Sequence, residues 1–183
     1  MLNPSFEGSD ARTGQVPLDW YNEGFPNASP TDTHSKESRF FGVNTAPFSG
    51  DTYLGMVTRS NKTWEAIGQK MTKPLLKDSS YLFSVHLARS ESHRSYDQSI
   101  RQQADFTTPV RLRIWARNEQ KKAFLLGQTP LIEHTAWRVY EIGFVPVEDY
   151  EEIVLEAYYE VSSEAAYNGN ILVDGCALVK KSN

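Results

Sequence analysis

The sequence has no second cysteine: Cys176 stands alone in 183 residues. An internal disulfide is therefore excluded, as is a zinc site built on cysteine ligands. Cys176 lies within an apolar, strand-like stretch and reads as a small buried hydrophobe. Long apolar runs are also missing, and none reaches the roughly eighteen residues that a membrane-spanning helix needs. Positive charge is not in excess, since the formal net charge is −4. General nucleic-acid binding relies on clustered Lys and Arg to displace counterions from phosphates, so it is not expected. Catalytic signatures are scarce. His34, His86, His93 and His134 form no His-Glu-x-x-His pair. There is no Gly-x-Ser-x-Gly elbow and no glycine-rich phosphate cradle. Glu156 and Glu160 lie on one strand-like run and would stand roughly 13 Å apart at ~3.3 Å per residue, too far for a glycosidase pair.

A hydrophobic fraction of 39% and a charged fraction of 23% are ordinary for a soluble globular chain, and residues 1–183 are expected to form one domain. The aromatic fraction of 12% suits an all-β fold, where rings pack on pleated faces. Residues 8–50 are rich in Gly, Pro, Asn, Ser and Asp and read as irregular, anchored by the loop aromatics Trp20, Tyr21, Phe25, Phe40, Phe41 and Phe48. Strands are expected at 53–57, 63–71, 81–87, 110–117, 137–145, 153–161 and 171–179, with Pro74 as punctuation. Trp64 and Trp137 are expected to be packing residues. The polar stretch 90–108 reads as a long insertion with a helical turn at 96–104. Short strands at this spacing indicate a sandwich or barrel.

The two ends carry the most specific motifs, Asn3-Pro4-Ser5-Phe6-Glu7 and Asn170-Ile171-Leu172-Val173-Asp174-Gly175-Cys176-Ala177-Leu178-Val179. Together with the strand pattern they resemble the jelly-roll modules of the galactose-binding-like superfamily, which include many carbohydrate-binding modules of secreted bacterial glycanases. The resemblance implies a jelly-roll β-sandwich of two antiparallel sheets with its first and last strands side by side. It also implies a structural calcium ion held by Glu7 and Asp174 and completed by the Gly50-Asp51-Thr52 loop. An extracellular, periplasmic or cell-surface location follows, and the chain is expected to be trimmed of a signal segment or cut from a larger protein.

Alternation then assigns faces. In 110–117, Val110, Leu112, Ile114 and Ala116 face the core, while Arg111, Arg113, Trp115 and Arg117 face outward. In 153–161, Ile153, Leu155, Ala157, Tyr159 and Val161 face inward, and Glu156, Tyr158 and Glu160 outward. Ser84 and His86 occupy the outer side of 81–87. If these strands share one sheet, Arg111, Arg113, Trp115, Glu156, Tyr158 and His86 line a groove. A ring can stack on a pyranose, and Arg, Glu and His can orient its hydroxyls. The expectation is non-catalytic binding of a polysaccharide or glycan. An interaction or adhesion module of a larger surface protein is the alternative, and a polysaccharide lyase or hydrolase ranks third.

Overall fold

In the computed structural model, residues 1–8, 10–160 and 165–181 are described. They form thirteen strands. These are β1 (Tyr21–Asn22), β2 (Asp32–Ser35), β3 (Thr52–Thr58), β4 (Ala66–Leu75), β5 (Tyr81–Ala88), β6 (Arg94–Asp97), β7 (Gln102–Asp105), β8 (Thr108–Pro109), β9 (Arg111–Arg117), β10 (Ala123–Gln128), β11 (Arg138–Phe144), β12 (Tyr150–Tyr158) and β13 (Gly169–Lys180). Among the described residues, no helix is long and apolar enough to cross a membrane.

Two sheets face each other. The smaller runs β1-β4-β12-β9-β10, and the larger runs β11-β5-β13-β3-β2. All pairings along these two paths are antiparallel, and β8 adds a short parallel pairing to β13. This is an all-β jelly-roll sandwich, as expected. The inward rows of β5, β9 and β12 are the ones that alternation assigns. Ile67, Leu112, Ile114, Ile153 and Leu155 from the smaller sheet meet Leu54, Met56, Phe83, Val85, Leu87, Ile171 and Val173 from the larger in one core. Each such burial contributes roughly 1.5–3 kcal/mol. Cys176 is buried in this core, and burial pushes its thiol pKa up.

The terminal motifs act as clasps. The Asn3 side chain accepts the Glu7 N–H at 2.8 Å and donates to the carbonyls of Glu7 and Leu18 at 2.8 and 2.9 Å. Phe6 holds a left-handed φ of 60° and is fully buried beside Trp20. The Cys176 N–H donates to Pro4 O at 2.9 Å, so the N-terminal segment lies along β13 where that strand bulges after Asp174.

Three expectations change. Residues 96–104 hold no helical turn. β6 and β7 form a hairpin whose link includes Arg101 at φ +53°, and the Asp97 carboxylate accepts the Ser99 N–H at 2.7 Å, which closes a turn instead of starting a helix. Pro74 lies inside β4, near its end and exposed, where a missing N–H costs no ladder bond. Residues 8–50 contain two short strands, β1 and β2. Val161 lies outside the described residues.

Candidate functional site

β9 and β12 pair with Arg113 opposite Glu156 and Arg111 opposite Tyr158. The structure therefore brings Arg111, Arg113, Trp115, Glu156 and Tyr158 together on the outer face of the smaller sheet. There Arg113, Trp115, Glu156 and Tyr158 engage one another, while Arg111 Nε is buried without a hydrogen-bond partner. Glu156 Oε2 accepts Arg113 Nε at 2.6 Å and Trp115 Nε1 at 2.7 Å. The Arg113 guanidinium lies 3.2 Å over the Tyr158 ring centre and 5.0 Å over that of Trp115. Trp64 packs edge-on against Tyr158 at 5.0 Å. Beyond them Arg117 pairs with Glu23, and Lys121 with Glu152. Arg113, Trp115 and Glu156, expected to meet sugar, meet each other, and a cation covers the Tyr158 ring. We expect Glu156→Ala to leave two half-buried donors without an acceptor and cost roughly 1–3 kcal/mol, read as a lower melting temperature. Lost glycan binding at an unchanged melting temperature would return the site to this face.

His86 is not part of that cluster. Its strand, β5, belongs to the larger sheet, between β11 and β13. Alternation correctly turns His86 away from the core, but alternation says nothing about which sheet a strand joins. Its ring stacks on Phe48 at 3.5 Å, and its Nδ1 lies 3.4 Å from Gly175 O.

The acidic residues of the terminal strands are near one loop but face the wrong partners for calcium. Asp174 Oδ2 accepts the N–H groups of Phe48 and Ser49 at 2.9 and 3.0 Å, and its Oδ1 that of Gly175 at 2.6 Å. Glu7 accepts the Asp51 N–H at 3.2 and 3.1 Å and the Thr52 N–H at 3.4 Å. Calcium needs converging oxygen lone pairs, whereas this loop presents donors. Gly50 is needed at this clasp, because a Cβ there would sit 2.1 Å from Glu7 Oε1. Asp51 contributes its amide, and its side chain is exposed. No three His, Cys, Asp or Glu side chains among the described residues are arranged to hold a metal. The donor set fits amide capping and does not fit calcium.

A cavity of about 310 Å³ opens elsewhere, between β2, the 59–65 loop and the β6–β7 hairpin. The expected insertion builds one of its walls. Asp97 fastens the hairpin by accepting Ser60 Oγ at 2.8 Å and Asn168 Nδ2 at 2.6 Å. Burial alone would raise the Asp97 carboxyl, but Asn168, Ser60 and the Ser99 amide hold it down to about 2. Phe41 stacks on His93 at 5.0 Å, and Phe106 lies behind His93 at 5.5 Å. Glu65, only 2% exposed, pairs with Arg59 and accepts the Val57 N–H at 3.0 Å. Arg59 also donates to Ser29 O at 3.3 Å. Asp32 Oδ1 accepts the Gly14 N–H at 2.8 Å.

Burial dominates the protonation here. It pushes Asp32 up to about 6, against the Gly14 amide and Arg59. It raises Glu65 well above the usual carboxylate range, although Arg59 pulls the other way. It lowers His93 to about 3, so the ring is neutral at physiological pH. Acids raised by burial in a cleft are candidates for a functional site, although buried ion pairs such as that of Glu65 with Arg59 also shift carboxyls. None of these residues was singled out from the sequence as a site residue, except Phe41 as a loop aromatic. The available signal was Glu65, a charge set directly before the apolar run that becomes β4.

No protein-family model and no curated protein matches the sequence. Solved structures do match in fold. A cyclase from Fischerella sp., in its apo form, shares 12% identity over 99% of this chain and 94% of its own, with a TM-score of 0.61. The CBM22-1 xylan-binding domain of Paenibacillus barcinonensis Xyn10C shares 13% over 96% and 90%, at 0.53. TmCBM61, in complex with β-1,4-galactotriose, shares 13% over 99% and 97%, at 0.51. The fold is a jelly-roll β-sandwich like theirs. At these identities the likeness concerns the fold alone, and function has to be argued from the site.

Proposed function

We propose that the protein binds carbohydrate without turning it over, as an extracellular or cell-surface module, and that the ligand enters the cavity beside the β6–β7 hairpin. The observation that carries this reading is the cavity's lining. Rings of Phe41 and Tyr96 stand beside planar polar groups of Asp32, Arg59 and Asn168. Rings stack on the apolar face of a pyranose, and planar groups orient its hydroxyls. The volume of about 310 Å³ is at the lower end of the roughly 300–1,000 Å³ typical of small-ligand sites, which suits one end of a glycan. The xylan-binding and galactotriose-bound modules of like fold support the same class of ligand.

The raised Asp32 and Glu65 carboxyls favour a second reading, an acid–base enzyme on this scaffold. A turnover assay on any glycan that binds separates the two, because the binding module leaves the glycan intact.

The test is a glycan and polysaccharide screen on the wild-type chain and Tyr96→Ala. Tyr96 is 53% exposed, so its loss leaves the core untouched. We expect a specific hit that weakens about tenfold in the variant, the loss of roughly 1.4 kcal/mol of stacking. Silence across neutral, amino and acidic glycans would end the reading.

A further inference from the structure

The polar groups of the cavity do not cancel. Arg59 is committed to Glu65 and Ser29. His93 is neutral, and Asp97 is held by Ser60, Asn168 and the Ser99 amide. Among the described residues, Asp32 and Asp97 both line the cavity without an ion-pair partner, but Asp97 is met by three donors whereas Asp32 has one. Asp32 is 6% exposed, and among the described residues its hydrogen bond is the one that Oδ1 accepts from Gly14. A buried carboxylate with so few donors carries a desolvation cost that a ligand cation would offset.

Two further groups are unmatched. His93, 5% exposed on the same cavity wall, has an Nδ1 without a hydrogen-bond partner, and Arg59 Nη1 is likewise buried and unpartnered. A neutral imidazole offers one acceptor nitrogen, and a guanidinium offers only donors. The unmatched set is thus a carboxylate, an imidazole and one N–H donor. The His93 and Arg59 atoms are closed off from solvent, so the demand open to a ligand is that of Asp32, which an N–H-rich cation meets. The Phe41 and Tyr96 rings at the wall add a surface that favours a cation. Acidic sugars are disfavoured, because the cavity's guanidinium is already paired with a carboxylate.

Building on the carbohydrate reading, we infer that the cavity selects a sugar bearing a free, protonated amine over its neutral, N-acetylated and acidic counterparts. Calorimetric titration of the intact chain with chitosan tetraose, chitin tetraose, cellotetraose and tetragalacturonate tests this. Chitosan tetraose is expected to bind at least tenfold more tightly than the neutral and N-acetylated tetramers, with tetragalacturonate weakest. Asp32→Asn keeps an oxygen for the Gly14 amide but removes the charge, and it should erase the amine advantage. Equal affinities for all four would overturn the inference and leave carbohydrate binding standing. An amine advantage that survives Asp32→Asn would overturn it as well, by showing that the net charge of −4 alone attracts the cation. If no tetramer binds, and the neutral, amino and acidic glycan screen is silent too, the carbohydrate reading fails and the inference falls with it.

Discussion

Replacing Asp174 with alanine is expected to lower the melting temperature by about 5–15 °C, by the same amount in calcium and in chelator. The side chain is fully buried and accepts three backbone N–H groups, from Phe48, Ser49 and Gly175. The donors are part-buried, and a hydrogen bond to a carboxylate contributes roughly 1.5–3 kcal/mol. Part of that is returned, because alanine also removes a carboxyl whose burial holds its pKa at about 6. A net loss of about 2–5 kcal/mol follows, and a domain of this size shifts by roughly 2–4 °C per kcal/mol. The partners are N–H donors, so calcium should not alter the loss. Thermal melts in both buffers decide the matter: a loss confined to the calcium buffer would mean that Asp174 serves as a metal ligand after all.

Arg59→Ala should be at least as damaging, and its effect should depend on pH. Arg59 is the partner of Glu65, and their side chains are 18% and 2% exposed. Removing one member of a buried pair typically costs 3–5 kcal/mol, because the other charge stays buried alone, and roughly 6–20 °C of melting temperature goes with it. Glu65 has an escape, which is to take a proton. Burial already raises its pKa well above the ordinary 4.5, with Arg59 opposing, and removing Arg59 raises it further. A carboxyl whose folded pKa lies above its unfolded one contributes stability that is present below the unfolded value and lost as pH rises through the folded value. The melting gap between the variant and the wild type should therefore be smaller near pH 5 than near pH 8. A gap that does not vary with pH would show that Glu65 is not the charge left behind.

The sandwich was legible because its strands are half-buried against one apolar core. In β9 the burial alternates residue by residue as the sequence alternates, and Tyr81, Phe83, Val85 and Leu87 fill the inner row of β5. β2 was not legible. Its residues Asp32, Thr33 and His34 are polar yet buried, because the 12–15 segment bonds Asp32 and Thr33, and His34 packs against Phe40 and Tyr53. The β6–β7 hairpin has no apolar row at all and is held by side-chain bonds to Asp97. Five of the six expected groove residues do share a face, since a period of two assigns them correctly. That Glu156 would absorb the donors of Arg113 and Trp115 depends on cross-strand register, which no local pattern encodes. The cavity was hidden for a related reason. Asp32, Phe41, Arg59, Glu65, His93 and Asn168 are scattered along the chain, and only the closed fold makes them neighbours.

The place of β13 bears on how the chain is made. It lies in the middle of the larger sheet, flanked by β5 and β3, with the parallel β8 pairing at its start, although it is the last described strand to leave the ribosome. Until it arrives, β5 and β3 each expose an unpaired backbone edge, the kind of template on which nascent chains associate. At roughly 5–20 residues per second, β3 waits several seconds for the strand that separates it from β5. Stop codons or frameshifts late in the reading frame should therefore yield aggregates, and slow translation should raise the demand for chaperones.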